Sequence, residues 1–110
     1  MPRQEWQDHL RLLEPGLRLL YLNEGLAEHS IYSVAQHGPV YGYGTWEYFL
    51  AAPFFNAPPA GMQSVRSLGL IGLAAGTIAK QYTQVFGPIP IDGWEIDPEI
   101  VRVGRQFFGM

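Results

Sequence analysis

The apolar positions of the chain change rhythm between its two halves. From Leu17 to Leu22 the run Leu-Arg-Leu-Leu-Tyr-Leu is short and free of glycine and proline, which predicts a β-strand. Asn23-Glu24-Gly25 follows as a reversal, with Gly25 free to take a positive φ, and Leu26 to Val34 predicts the returning strand of a β-hairpin. Ahead of the hairpin, residues 1–16 form a polar lead-in. Trp6, Leu10 and Leu13 carry loose helical spacing there, which Pro15-Gly16 ends.

Behind the hairpin, Gly38 to Gly44 is rich in glycine and tyrosine and reads as loop. Thr45 is placed as the N-cap of a helix that starts at Trp46, carries Glu47 and Tyr48 in its first turn and fades from Pro53 to Asn56. Ala57-Pro58-Pro59-Ala60-Gly61 is the clearest linker. It divides the chain into residues 1–60, a β-rich subdomain with one helix, and residues 61–110.

In the second part Val65 to Ile71 predicts a buried strand that ends at Gly72. Helical spacing starts near Gly76, with Ile78, Tyr82, Val85 and Phe86 at i, i+4, i+7 and i+8, and Gly87-Pro88 stops it. Ile89 to Ile96 predicts another strand, although Pro90 near its start cannot donate to a ladder. Asp97-Pro98-Glu99 is a strong helix start: an N-cap, a proline in the first turn and an acid against the dipole. Ile100, Val103 and Phe107 make its apolar stripe, with Arg102 and Arg105 toward its C-terminal end. Strand, helix, strand and helix in that order imply parallel strands joined by right-handed crossovers. The fold class is therefore α/β: an N-terminal β-hairpin subdomain, then an incomplete Rossmann-like parallel sheet with helices.

Composition narrows the chemistry. With no cysteine among 110 residues, disulfides, thiolate nucleophiles and cysteine-based zinc sites are excluded. The net charge of −3 argues against a nucleic-acid backbone as partner. The longest mostly apolar run, Leu68 to Ala79, falls short of the roughly 20 residues a spanning helix needs, and no basic stretch leads into an apolar one as in a signal peptide. A soluble, cytoplasmic setting is the expectation.

The chemistry concentrates between Ser67 and Pro98. A strand ends in Gly72-Leu73-Ala74-Ala75-Gly76 and opens into a helix, so the backbone bends sharply and comes close to whatever lies above the sheet. Glu95 follows Gly72 by 23 residues, at the end of the next strand. A carboxylate there can accept both hydroxyls of a ribose, as the acid of the dinucleotide fingerprint does. The turn reads G-x-x-x-G and not G-x-G-x-x-G, which weakens the phosphate-binding version. A nucleoside without pyrophosphate, such as an adenosyl sulfonium, suits it better. The alternative is a generic βαβ unit whose glycines serve packing alone.

Leu70-Ile71-Gly72-Leu73-Ala74-Ala75-Gly76-Thr77, followed by Ile91-Asp92-Gly93-Trp94-Glu95-Ile96-Asp97-Pro98-Glu99-Ile100-Val101, resembles the first nucleoside-binding block of the spermidine synthase family. It is especially similar to the divergent spermidine synthase-like proteins of bacteria. The hairpin and the segment from Trp46 also sit where that family places its N-terminal β-domain and first helix. The resemblance implies a methyltransferase-type nucleoside fold that binds decarboxylated S-adenosylmethionine or S-adenosylmethionine as substrate, without a metal. Gly72, Leu73, Ala74, Ala75 and Gly76 would line this ligand, Glu95 would hold its ribose and Ile96 would pack on its adenine. The implied chemistry is aminopropyl transfer to an amine such as a polyamine, and the implied assembly is a homodimer through the β-domain.

Two departures stand out. Where the family carries an aspartate in its glycine block, this chain has Ala75. The family's catalytic aspartate follows a fourth strand, whereas this sequence stops at Met110, so no residue is assigned as catalytic. The expectation is a fragment that is inactive alone. An S-adenosylmethionine-dependent methyltransferase and a non-catalytic assembly module of the same fold remain as alternatives.

The remaining polar residues support less. His9, His29 and His37 have no partner at helical spacing, so surface or loop positions are expected. Tyr41, Tyr43, Trp46 and Tyr48 could wall a ligand pocket or simply pack. Glu24, Glu28 and Glu47 read as solvated acids before they read as polyamine ligands. Ser30, Ser33 and Ser64 lack a hydrolase motif, and Lys80 reads as an exposed helix residue.

Overall fold

The computed structural model describes residues 16–22, 28–56, 58 and 61–110. The loosely helical spacing of the polar lead-in, the Asn23-Glu24-Gly25 reversal and linker residues Ala57, Pro59 and Ala60 lie outside the described residues. The fold is α/β: a two-stranded antiparallel hairpin and a two-stranded parallel sheet with helices.

Strand β1 (Leu17–Tyr21) pairs antiparallel with β2 (Glu28–Ser33), and a register shift between Leu20 and Tyr21 bends the hairpin. Four consecutive residues of β2, Ser30 to Ser33, are buried. Side chains alternate faces along a strand, so both faces of β2 are covered. Tyr32 packs with Ala75 and Phe108, and Leu20, Val34 and Val103 close the cluster.

The segment from Trp46 to Phe55 is helical but wound as a 3-10 helix. Pro53 lies within it, and an α-helix would need a Pro53 N–H to bond the Phe49 carbonyl. That carbonyl instead accepts the Tyr82 hydroxyl at 2.7 Å. Thr45 stands at the N-cap position but caps through its backbone: its side chain makes no cap bond, and its carbonyl accepts from Tyr48 N.

Strand β3 (Leu68–Ile71) runs parallel to β4 (Ile91–Trp94), with Leu68 opposite Ile91 and Ile71 opposite Trp94. Both strands are shorter than the apolar runs that announced them. Val65 to Ser67 lie outside the ladder, and Pro90 stays just outside it, where its carbonyl accepts from Leu68 N. Helix α1 (Thr77–Phe86) starts at Gly76, whose φ is 88°, and ends at Gly87. Tyr82 of its apolar stripe is buried and its ring meets that of Phe86 at 5.0 Å, tilted by 43°, while Val85 remains exposed. Helix α2 (Pro98–Phe107) begins as its sequence announced, with the Asp97 carboxylate accepting from Glu99 N at 2.9 Å. Arg102 pairs with Glu99 one turn back, and this bond holds the exposed Glu99 carboxyl below its ordinary value. Gly104 is the buried point of α2, because a Cβ there would lie 3.3 Å from the Cα of Ala75. Among the described residues no helix is long and apolar enough to cross a membrane.

Candidate functional site

The turn from Gly72 to Gly76 joins β3 to α1 and carries three residues in the left-handed region: Gly72 at φ 80°, Ala74 at 49° and Gly76 at 88°. Ala74 is the exception in chemistry, since a Cβ disfavours this conformation by about 1–2 kcal/mol. Replacing it with glycine should relieve that strain at an entropic cost of about 0.5–1 kcal/mol. Ala74→Gly is therefore expected to leave the chain slightly more stable, by about 0.5 kcal/mol. A denaturant midpoint that falls would contradict it.

All five backbone donors of the turn are engaged within the chain. Gly72 N and Leu73 N donate to the Trp94 carbonyl at 2.8 and 3.0 Å, and Gly76 N donates to Leu73 O at 3.1 Å. Ala74 N donates to Glu95 Oε1 at 3.0 Å, and Ala75 N to the Ser30 hydroxyl at 2.9 Å. A phosphate cradle needs free N–H groups aimed at the ligand. These five residues have none left to offer.

Glu95 is placed by β4, whose last residue precedes it, and by Gly93. A Cβ at Gly93 would fall 2.7 Å from the Leu73 side chain, so the glycine lets Leu73 lie against the strand. The second Glu95 oxygen accepts from Asp97 N at 3.0 Å. A carboxylate offers about four acceptor sites. The two backbone bonds leave room for two more donors while holding the group fixed.

The hairpin is bolted to this turn. Besides the Ser30 bond, the Thr77 hydroxyl accepts from Ile31 N at 2.8 Å and donates to Ile31 O at 3.2 Å. The hydroxyl thus satisfies both groups of one β2 peptide position on the edge away from β1. Ser30 and Thr77 are buried, and neither was singled out for this role in the sequence. Their partners are 45 and 46 residues distant, so nothing local announces them.

A cavity of about 240 Å³ opens where hairpin, 3-10 helix and turn meet. Glu28, Ser30, Thr45, Trp46, Leu73 and Ala74 are among its lining residues. Glu28 is the one carboxylate in that lining, and it accepts the Tyr21 hydroxyl at 3.3 Å. Burial, then the Glu28 charge and this bond, push the Tyr21 phenol up from 10.0 to about 12. A raised folded value means that the native state holds the proton more tightly. The Tyr21 contribution to stability is therefore complete below pH 10 and is lost as pH rises toward 12. Burial raises Tyr41 and Tyr82 as well, so an alkaline titration should show several late-ionising tyrosines, of which Tyr21→Phe removes one.

A larger groove, about 710 Å³, borders Glu95. Ile96, Pro98 and Val101 supply its apolar lining, and Arg102, Arg105 and Gln106 its polar one. Ile96 is 98% exposed. Gly72, Leu73 and Ala74 thus face the small cavity, and Glu95 and Ile96 face the groove. The side chain of Ala75 belongs to the core cluster, and Gly76 borders a third cavity.

Several other sequence readings resolve differently. Of the aromatic set, Trp46 lines the small cavity, Tyr41 donates to Gln84 at 2.7 Å, and Tyr48 is exposed. Glu47 is not simply solvated: it accepts from Gly42 N at 2.8 Å. Lys80 is half-buried rather than exposed. Glu24 and His9 lie outside the described residues. Among those described, no three His, Cys, Asp or Glu residues gather as a metal site. Compared with protein-family models, with curated proteins and with solved structures, the chain finds no match.

Proposed function

We propose that this chain is the adenosyl-sulfonium-binding part of a spermidine synthase-like transferase with a Rossmann-like domain. The observation that carries the reading is the Glu95 carboxylate fixed against the glycine turn by Ala74 N and Asp97 N, with acceptor capacity to spare. Two ribose hydroxyls match that capacity. The consumed turn amides favour a nucleoside without phosphate. The groove along Ile96 is large enough for an adenine and the cavity beyond Ala74 for a short tail.

In this reading the sulfonium lies over the turn and the tail enters the cavity with Glu28 and Trp46. A carboxylate and an indole face suit a cationic amine, whether tail or acceptor. Transfer would place the acceptor nitrogen in line with the carbon beside sulfur. The chain's own contribution is then positioning and charge complementarity. None of its residues is assigned as a general base. Ala75 offers no carboxylate to a ligand amine, which favours S-adenosylmethionine itself as a second reading, with methyl transfer. Cytoplasmic location and a homodimer belong to the same proposal.

Calorimetry of the chain with methylthioadenosine, S-adenosylmethionine and decarboxylated S-adenosylmethionine tests it. Binding of any of them that depends on Glu95 supports the nucleoside site, and the preferred sulfonium separates aminopropyl from methyl transfer. No binding by a demonstrably folded chain ends the reading.

A further inference from the structure

A third cavity, about 430 Å³, lies between α1, the loop that follows the hairpin and the segment after α2. Helix α1 and its N-cap line it with Gly76, Ala79, Lys80, Thr83 and Gln84. That i, i+3, i+4, i+7, i+8 spacing is one face of a helix. The small cavity described above uses Thr77 and Ile78 instead, so different faces of α1 serve the two. His37 comes from the loop, and Gly109 and Met110 follow α2.

Among the lining side chains are a lysine and a histidine and no carboxylate. Lys80 is half-buried, and its ammonium donates to the Gly109 carbonyl at 2.9 Å and sits 5.8 Å from the centre of the Tyr32 ring. Neither neighbour is an anion, and the ion pair found among the described residues joins Arg102 to Glu99 instead. Burial lowers the Lys80 amine from its ordinary value, which is the mark of a cation short of compensation. An ammonium has three donors, so the Gly109 bond leaves two.

His37 supplies the second observation. It is a non-glycine residue at φ 52°, in the left-handed region. Strain of that kind persists where the surroundings impose it, and it clusters at ligand sites. Its Nδ1 lies 3.4 Å from the hydroxyl of Tyr32, the tyrosine whose ring faces Lys80. Gln84 accepts from Tyr41 through Oε1, which leaves its amide N–H groups as donors on the same helix face. Cation, imidazole and amide donors thus border one open space.

We infer that this cavity binds a compact oxyanion, of carboxylate or phosphate type, with Lys80 as its principal partner and His37 and Gln84 as supporting donors. The anion supplies a counter-charge to an ammonium whose two partners above, the Gly109 carbonyl and the Tyr32 ring, are uncharged. The inference is independent of the nucleoside reading, because it shares neither Glu95 nor the small cavity.

The test is calorimetry and thermal unfolding of the full chain with inorganic phosphate and with acetate, each against sodium chloride at matched ionic strength. The expected result is millimolar binding and a raised melting temperature with at least one of the two anions. Lys80→Met keeps the aliphatic stem and should weaken that binding about tenfold or more, since the charge-assisted bond is lost. The preferred anion separates a phosphate-bearing from a carboxylate-bearing ligand. Should Lys80→Met fail to fold, amide NMR shifts of the unmodified chain decide: phosphate or acetate should move Lys80, Thr83 and Gly109. Equal binding by Lys80→Met, no effect beyond chloride, or shifts confined elsewhere would overturn the inference.

Discussion

Replacing Glu95 with alanine is expected to weaken binding of an adenosyl ligand by about 100-fold or more. Two ribose hydroxyls donating to one carboxylate make two charge-assisted bonds of about 1.5–3 kcal/mol each. Their loss is at least about 3 kcal/mol, and each 1.4 kcal/mol is a factor of ten. The same substitution removes the acceptor of Ala74 N and Asp97 N, which loosens the turn itself. Stability should therefore fall too, by about 1–2 kcal/mol, because water can reach the freed donors of this half-buried group. Glu95→Gln separates the two effects. It preserves shape and one acceptor oxygen but sets an NH2 group against a backbone donor. Ligand titration alongside denaturant unfolding measures both. Alanine and wild-type chains that bind methylthioadenosine equally well would remove the ribose reading.

Replacing Thr77 with valine should cost about 2–4 kcal/mol of stability. The two side chains have nearly the same volume, so no cavity forms and the effect is one of hydrogen bonding. The substitution strips the acceptor from Ile31 N and the donor from Ile31 O, both at a buried position. Each unsatisfied buried group costs about 1–3 kcal/mol. A domain of this size has about 5–15 kcal/mol in all. Thr77→Ser keeps the hydroxyl and should cost much less. Urea unfolding of the two variants checks the order, and serine losing as much as valine would show that the methyl group, not the hydroxyl, matters. The expected consequence reaches the ligand site, because Ser30 and Glu28 ride on the same strand that Thr77 holds.

The segment from Trp46 shows where sequence reading stopped. Helix and start position were legible from Thr45, Glu47 and Tyr48, and Pro53 signalled its end. The partner of the Phe49 carbonyl was not, since that carbonyl accepts the Tyr82 hydroxyl from 33 residues away. Lys80 makes the same point. Its neighbours on α1 mark it as a surface residue, whereas its amine meets Tyr32 and Gly109, both distant in sequence.

By itself the sequence determined the order of strands and helices, the Asp97 cap and the glycine turn that follows β3. These features rest on steric and hydrogen-bonding terms that act within a few residues, so a local reading contains them. It also placed Glu95 beside the end of its strand, although the strand itself stops one residue earlier, at Trp94. Tertiary structure alone decided what surrounds that acid. Packing brought Ser30 to Ala75 N and Thr77 to Ile31, and it opened the cavity with Glu28. Long-range packing rewards complementary surfaces that no short stretch of either partner encodes.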